Sequence, residues 1–393
     1  MGDSTTSANP AVLIEQLKAL VEKPDGLPAQ QKEEIIQLSR KAAVMLEGPF
    51  ETFQRLAYSV LPLVSVRVAQ DHDIFKTLVE NKDGPTSTAV LAEKTGINPT
   101  ILDSLLEYLV TQFMVEEVSP RQYQATKLSH MLLAPLFVDG VTHFHDNCLP
   151  AFCALNYALA HPTDARTPFE IGQNSSTDFY TWLESHAVQA GAFHRFMEAQ
   201  FASLPTWLDV TPFEKDYAQS ADPETPLFVD VGGGNGQQCV SLLQKFPDLK
   251  GKVVLQDRPA VLAKAITGET VERMAYDYLT EQPVKGARAY YFRQILHNNN
   301  DETCLRILKS HLPAMDASSV LLIDEKVLPD EKPAGAGSAE YTTGLSLAML
   351  VMFNALERRE GQWRKLLSEG GFEIKAIKKF TDFGDSVIVA VKK

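Results

Sequence analysis

The stretch Leu227-Phe228-Val229-Asp230-Val231-Gly232-Gly233-Gly234-Asn235-Gly236 decides the fold of this chain. An apolar run ends in an aspartate and breaks at once into glycines, which is typical of a buried strand that turns sharply into a helix. The spacing is D-x-G-x-G-x-G, and the dinucleotide fingerprint G-x-G-x-x-G is absent because residue 237 is glutamine. That fingerprint serves a pyrophosphate at a helix N-terminus.

A nucleoside ligand without phosphate needs only close backbone approach and a carboxylate for its polar end. The motif therefore favours S-adenosylmethionine over a nicotinamide cofactor. The residues that we predict to bind this cofactor at the turn are Asp230, Gly232, Gly234 and Gly236.

Composition bounds the class of protein. The 393 residues are 45% hydrophobic, which is enough for two domains with sizeable cores. The net charge of −13 argues against nucleic acid or an anionic membrane surface as a partner. No secretory signal or membrane-length apolar run is visible, and the four cysteines lack the C-x-x-C spacing of a zinc site. We therefore expect a cytoplasmic protein without a metal.

The N-terminal third reads as a helical domain. Residues 1–10 are polar and are predicted to be a disordered tail, and amphipathic helices are predicted at 11–22 and 28–47. The apolar stripe of the second helix is typical of a core or of a subunit contact. We predict a helical, winged-helix-like dimerisation domain over residues 11–140.

Residues 70–130 have the rhythm of a helix-turn-helix followed by a wing. Thr88–Thr95 reads as a short helix, and Asn98 caps a second one. A winged helix is compatible with DNA binding, so charge must decide. The second helix offers Asp103 and Glu107 and neither lysine nor arginine, which would repel phosphate. We interpret this module as structural.

Residues 141–217 are rich in aromatic, histidine and methionine residues, with helices predicted near 141–160 and 177–203. We predict a helical connector that lines an apolar substrate pocket, although ordinary helical core is the better explanation for most of these residues and only a few at the domain junction are expected to face the substrate. A later helix contributes two more candidates. The predicted pocket residues are His143, His145, Phe193, Met197, Met352 and Asn354.

From about residue 226 the pattern alternates between strands and helices, which indicates an α/β fold with a doubly wound, Rossmann-like, largely parallel sheet. The last two strands suit an antiparallel hairpin. We predict a cofactor-binding catalytic domain over residues 218–393, with strands at Leu227–Val231, Lys252–Gln256, Ala289–Phe292, Val320–Ile323, Phe372–Ile374 and Ser386–Val391.

Ligands of open α/β sheets lie beyond the carboxyl ends of the strands, so each strand end is a candidate site. Asp257 follows the second strand, about twenty residues after the glycines, where a carboxylate accepts hydrogen bonds from both ribose hydroxyls. Its alternative role is a helix cap. Asp277 falls where a third strand should end, within reach of the adenine.

His297 lies between an apolar strand end and a helix predicted near Asp301. One interpretation is a histidine in a capping loop. The other is a general base, whose neutral imidazole takes a proton from a substrate hydroxyl. Glu325 follows the fifth strand and Glu357 opens a later helix, so a carboxylate is available to fix the tautomer of His297 and to stabilise its imidazolium form. These three residues are the predicted catalytic group.

Chain order, spacing and length together resemble the small-molecule O-methyltransferases of the plant caffeic-acid and flavonoid type, and most of all their relatives in fungal secondary metabolism. The resemblance covers residues from about 50 to 393. It implies that Asp257 binds the cofactor ribose, that His297 is the catalytic histidine, and that Glu325 and Glu357 flank it.

The resemblance also implies a basic cofactor-binding residue at Arg293 and an intertwined homodimer whose N-terminal domains help to close the substrate pocket. The implied reaction is in-line attack of a substrate oxygen on the sulfonium methyl of S-adenosylmethionine, without a metal. Abundant phenylalanine and methionine suggest an apolar, phenolic or polyketide-type substrate, but its identity and the methylated position depend on pocket shape.

One departure from the family pattern leaves a second chemistry open. The family usually has aspartate and then an aromatic residue after the histidine, whereas this chain has Asn298 and Asn299. Some proteins that resemble the family keep the cofactor unconsumed and steer dehydrations or pericyclic reactions of polyketide intermediates. For such a cyclase the candidate hydrogen-bond donors to a carbonyl are His143, His145, Arg293 and Lys326.

Overall fold

The computed structural model describes residues 9–23, 26–82, 84–200, 204–331 and 337–393, so most of the predicted tail at 1–10 lies outside the described residues. The chain forms two compact units, divided after Ser59. The predicted boundaries at residues 140 and 217 fall inside the second unit and stay predictions. The first unit holds the helices α1 (Pro10–Glu22), α2 (Ala29–Leu46) and α3 (Pro49–Ala57).

None of the described residues of the first unit is buried. Its exposed side chains include large apolar ones, among them Leu46, Phe50 and Phe53. With no fully buried side chain among its described residues, this unit has little apolar burial to offset the entropy of ordering its backbone.

The second unit opens with a winged-helix-like module, as the sequence predicts. Local capping explains two of its helix starts: the side chain of Ser87 accepts from the Val90 N–H, and that of Asn98 from the Thr100 N–H. The three strands form an antiparallel sheet in the order β1-β3-β2. The elements are α4 (Leu61–Asp71), α5 (Ile74–Glu80), β1 (Thr86–Ser87), α6 (Thr88–Thr95), α7 (Pro99–Thr111), β2 (Val115–Ser119), β3 (Gln122–Ala125), α8 (Lys127–Met131) and α9 (Pro135–Thr142).

The connector is more broken than the two helices predicted from the sequence. A π-helical turn at His143–Cys148 joins α9 to the next helix, and π-turns inside helices are frequent at functional sites. The second predicted helix is interrupted at His186, whose backbone is not helical. The elements are α10 (Leu149–Ala160), α11 (Pro168–Gly172), α12 (Phe179–Glu184), α13 (Ala187–Ala199), α14 (Trp207–Val210) and α15 (Phe213–Tyr217).

The predicted doubly wound sheet is confirmed. Seven strands lie in the order β6-β5-β4-β7-β8-β10-β9, parallel except for β10, which runs antiparallel to both of its neighbours. The strands are β4 (Pro226–Val231), β5 (Lys252–Asp257), β6 (Val271–Ala275), β7 (Ala289–Arg293), β8 (Val320–Lys326), β9 (Phe372–Lys379) and β10 (Asp385–Lys392).

Helices cover both faces of this sheet, and one apolar core lies on each face. Trp363 and Phe372 belong to one core, and Trp207 and Phe213 to the other. The helices are α16 (Gln237–Lys245), α17 (Pro259–Leu262), α18 (Asp301–His311), α19 (Gly337–Phe353) and α20 (Glu360–Glu369), with 3-10 turns at Leu296–Asn298 and Leu312–Ala314. Within the described part of the chain, no helix is long and apolar enough to cross a membrane.

Candidate functional site

The glycine turn after β4 is shaped for close approach. Gly232, Gly234 and Gly236 all have positive φ angles, of 68°, 62° and 85°, which favour glycine. A Cβ atom at Gly236 would lie 2.3 Å from the Thr267 side chain, so this position is packed. A Cβ at Gly234 would meet no described atom within 4 Å. The turn therefore presents bare backbone to open space at Gly234, which allows a nucleoside to approach closely.

Asp230 lies beneath this turn rather than on its surface. The residue is fully buried, and a Cβ at Gly233 would lie 2.4 Å from its Cγ atom. The Cys239 thiol is 3.5 Å from its Oδ2 atom. Burial raises the pKa of Asp230 to about 7. The aspartate thus supports the turn from below, and its direct contact with the cofactor stays a prediction.

Asp257, at the end of β5, is tied to the glycine turn. Its Oδ2 atom accepts a hydrogen bond of 2.8 Å from the Gly234 N–H, and its Oδ1 atom one of 2.7 Å from the Arg258 N–H. Burial raises the pKa of its carboxyl group. An ionised carboxylate can accept about four hydrogen bonds, so each oxygen keeps one for a ribose hydroxyl.

Asp277 and Arg293, the other two residues predicted to bind the cofactor, also lie at the carboxyl edge of the sheet. Asp277 is exposed, two residues after β6, and its Oδ1 atom accepts from the Leu279 N–H at 2.9 Å. Arg293 ends β7, and its Nε atom is 3.6 Å from the Asp324 Oδ2 atom. Both are near strand ends as predicted, and their contacts with the cofactor stay predictions.

The structure brings the three predicted catalytic residues together. The Nδ1 atom of His297 is 2.8 Å from the Oε1 atom of Glu357 and 3.8 Å from the Oε2 atom of Glu325. The other oxygen of Glu325 accepts from the backbone N–H groups of Leu296 and His297, at 2.8 and 3.3 Å. Glu357 does not open a helix as expected, because α20 begins only at Glu360. The histidine is therefore held by one carboxylate through its ring and by another through its backbone.

Charge sets the protonation of this cluster. Burial alone would lower the pKa of His297, but the charges of Glu325 and Glu357 outweigh it and raise the pKa to about 9. Burial raises the pKa of Glu325 to about 7, although the charge of His297 opposes this. Possible ligand atoms of the three residues lie within 4.8 Å of one another, which is also close enough for a cation. At neutral pH the protons held by His297 and Glu325 already balance part of the negative charge that would attract a cation.

Arg358 was not singled out from the sequence, yet it holds the histidine loop from behind. Its guanidinium donates to the carbonyl oxygens of Leu296 and Asn299, both at 2.8 Å, and to the Asp301 carboxylate at 2.9 Å. The side chain is buried. Since Arg358 follows Glu357 directly, one segment supplies both the partner of the His297 ring and the brace of its loop.

The pocket candidates do not share one environment. His143 is buried among the rings of Phe193 and Phe196, at centroid distances of 5.3 and 5.7 Å, and burial lowers its pKa to about 4. His145 instead pairs with the Asp146 carboxylate at 2.7 Å. The remaining candidates differ in exposure: Met352 is buried, Phe193 and Met197 are half-buried, and Asn354 is exposed.

Comparison with known proteins agrees with this geometry. Residues 219–373 match the model of an O-methyltransferase domain, and residues 61–135 match that of an O-methyltransferase dimerisation domain. The 16-O-methyltransferase bsc6 of Alternaria brassicicola is 34% identical over 95% of this chain and 94% of its own. The solved structure of LepI in complex with S-adenosylmethionine superposes with a TM-score of 0.83 at 28% identity, covering 98% of this chain and 100% of that one.

A further solved structure, described as a pericyclic reaction enzyme, superposes with a TM-score of 0.82 at 28% identity over 98% of this chain and 100% of its own. The sheet with its glycine turn and strand-end carboxylate has the fold of the S-adenosylmethionine-dependent methyltransferases. More specifically, the chain belongs to the O-methyltransferase family, and it is an S-adenosylmethionine-dependent O-methyltransferase.

Proposed function

We propose that this enzyme methylates a hydroxyl of a small, largely apolar secondary metabolite of phenolic or polyketide type, with His297 as the general base. The observation that carries the proposal is the buried contact of 2.8 Å between His297 Nδ1 and Glu357 Oε1, with the Glu325 carboxylate next to it. A carboxylate only accepts hydrogen bonds, so Nδ1 carries the proton of the neutral ring and Nε2 is the basic atom.

The chain's own residues supply position and a proton acceptor. S-adenosylmethionine supplies a methyl group that is already activated on a sulfonium. The glycine turn and Asp257 hold its nucleoside, and such positioning contributes roughly 7–11 kcal/mol in well-oriented reactions. Nε2 of His297 takes the hydroxyl proton, which typically adds about 10²–10⁴-fold. Glu325 and Glu357 then stabilise the imidazolium.

The chemistry of the surrounding side chains supports an apolar acceptor. One apolar cluster joins the connector helices to the end of α19, and Phe179 and Met352 are among its buried members. Aromatic rings pack against each other in this cluster, for example Phe179 and Phe193 at 5.1 Å. An aromatic or polyketide-derived substrate matches such a wall better than a charged one.

We further propose that the enzyme works as a homodimer in the cytoplasm. The dimerisation-domain match over residues 61–135 supports the homodimer, and so does the lack of buried residues in the described part of the first unit. The cytoplasmic location rests on the sequence alone.

The test is a turnover assay with methyl-labelled S-adenosylmethionine and a panel of phenolic and polyketide acceptors. We expect label transfer to fall by about 10²-fold or more in His297→Ala, because the base is lost. His161→Ala is the matched control, since that histidine is exposed and its Nδ1 atom contacts the backbone carbonyl of Tyr157 and not a carboxylate. Equal transfer by wild type and His297→Ala would rule out His297 as the base.

A cofactor-retaining rearrangement is the second candidate, favoured by the likeness to the pericyclic reaction enzyme. Two of the four donors that it would use are engaged elsewhere. The Nζ atom of Lys326 is 2.7 Å from the Asp385 carboxylate, and His145 pairs with Asp146. Methyl transfer therefore has the better support. Product analysis separates the two: a methylated product with S-adenosylhomocysteine, or an isomer with the cofactor intact.

A further inference from the structure

Tyr180, on α12, stands where the helical wall meets the cofactor edge of the sheet. Its ring is stacked on that of Phe353 at 5.5 Å and lies 6.2 Å from that of Phe193. On the other side its neighbours include Tyr278 and the Asp257 carboxylate, whose negative charge raises the pKa of the Tyr180 hydroxyl. Tyr278 also borders the glycine turn, since a Cβ at Gly232 would lie 3.9 Å from its ring.

The amide of Asn298 fixes the direction of the hydrogen bond that Tyr180 makes. The Nδ2 atom of Asn298 lies 2.9 Å from the Gln294 carbonyl oxygen and 3.1 Å from the Tyr180 hydroxyl. A carbonyl oxygen only accepts, so the amide nitrogen must face it, and both of its hydrogens are then used. Tyr180 is therefore the acceptor in its bond with Asn298.

Because Tyr180 accepts in this hydrogen bond, its own phenolic proton is not donated to Asn298. Among the residues that the structure describes, none accepts a hydrogen bond from this hydroxyl. Burial and the charge of Asp257 both raise the pKa of Tyr180, so it keeps its proton and remains a donor. A partly buried donor that lacks a protein acceptor gains a hydrogen bond when a ligand supplies one.

We propose that Tyr180 donates a hydrogen bond to a ribose hydroxyl of the cofactor, and that Asn298 makes it available by donating to the phenolic oxygen. A ribose hydroxyl complements the pair, because it donates its own proton to Asp257 while it accepts from Tyr180. The assignment rests on the binding of S-adenosylmethionine by this family and makes Tyr180 a specificity residue for the nucleoside.

This proposal gives a function to Asn298, which stands where the family usually has an aspartate. An aspartate at position 298 would accept from Tyr180 and consume the proton, whereas Asn298 turns the hydrogen bond round. The variant Asn298→Asp should therefore imitate Tyr180→Phe without removing the phenol.

The experiment is calorimetric titration of the full chain with S-adenosylhomocysteine. Losing one hydrogen bond between neutral groups weakens binding by about 3- to 10-fold, which is expected for Tyr180→Phe and for Asn298→Asp. The double variant should bind no more weakly than Tyr180→Phe, because both changes remove the same bond. Tyr157→Phe, which alters an exposed tyrosine, is the control and should bind like wild type.

Deoxy analogues of S-adenosylhomocysteine then identify the oxygen. The difference between wild type and Tyr180→Phe should disappear with either the 2′-deoxy or the 3′-deoxy ligand and persist with the other. Equal affinity of wild type and Tyr180→Phe for S-adenosylhomocysteine would overturn the proposal, and so would a double variant weaker than both single ones. A wild-type chain that bound no S-adenosylhomocysteine would overturn the methyltransferase assignment as well.

Discussion

Two buried histidines, one in the sheet domain and one in the connector, have the same exposure and opposite chemistry. His297 and His143 are each 7% exposed, yet the pKa of the first is raised to about 9 and that of the second is lowered to about 4. Burial disfavours the charged form of both. His297 faces two carboxylates, whereas the ring nitrogens of His143 face the neutral Asn147 and Cys148, at 2.9 and 3.5 Å.

The difference teaches that partners, not burial, decide which histidine is able to hold a proton. At the carboxyl edge of the sheet, separate segments each deliver a carboxylate to one point. In the connector, aromatic rings enclose a histidine that stays neutral. The first region is therefore suited to proton transfer, whereas His143 is not.

The largest effect should come from removing the negative charge of Glu357, the carboxylate that contacts the His297 ring. In Glu357→Gln the amide nitrogen can face Nδ1 and favour the wrong tautomer, so we expect kcat to fall on the order of 10²–10⁴-fold. The measurement is label transfer at saturating S-adenosylmethionine. Binding of S-adenosylhomocysteine serves as the control and should be retained. Unchanged kcat would mean that the carboxylate does not act through the base.

The pH profile tests the same comparison from the side of the wild-type enzyme. A base must be deprotonated, and the pKa of His297 is raised, so kcat/KM should increase with pH through a limb near pH 9. Two acceptors whose hydroxyl groups differ in acidity provide the control, since a limb that belongs to the enzyme stays in place. A limb that moves with the acceptor would assign the titration to the substrate.

A carboxylate placed next to His143 should make its pKa behave like that of His297. In Asn147→Asp, which places an acid next to Nδ1, the pKa of His143 should rise by about 1–3 units. Titration of the ring signals by NMR measures the shift, with Asn147→Ala as the uncharged control. A pKa that remained near 4 in the aspartate variant would show that burial dominates at this site after all.

The smallest effect concerns stability against acid. The pKa of His143 is lowered on folding from the ordinary 6.5 to about 4, so between these values the unfolded chain binds more protons. The free energy of unfolding should therefore decrease as the pH falls through this window, and less steeply in His143→Phe. His297 has the opposite sign: its contribution is complete below pH 6.5 and is lost as the pH rises through 9. Urea unfolding at several pH values measures how the free energy of unfolding depends on pH. If His143→Phe lost stability as steeply as wild type between pH 6.5 and 4, the prediction for His143 would be wrong.

The sequence predicted the features that local pattern determines. The glycine turn, Asp257 and His297 each follow an apolar strand, and strand ends meet at one edge of a parallel sheet. β6 was expected without bounds, because of its five residues only Val271 is buried and the rest lack an apolar pattern.

Contacts between distant segments were beyond sequence reasoning. The Asn298 amide meets Tyr180, 118 positions away, and only that contact reveals the direction of the hydrogen bond. Arg358 braces a loop 57 to 62 positions earlier. The π-turn at His143–Cys148 likewise left no mark in the helical periodicity that predicted one continuous helix.

The two oxygens of Glu325 serve different purposes, and this division bears on how the enzyme can change over evolutionary time. One oxygen fastens the loop backbone at Leu296 and His297, and the other faces the imidazole. Replacing the glutamate would damage fold and chemistry together, whereas replacing His297 would spare the loop. A lineage that abandons methylation but keeps its bound nucleoside should therefore vary at position 297 first. It should retain Glu325, because that carboxylate still holds the backbone of the loop.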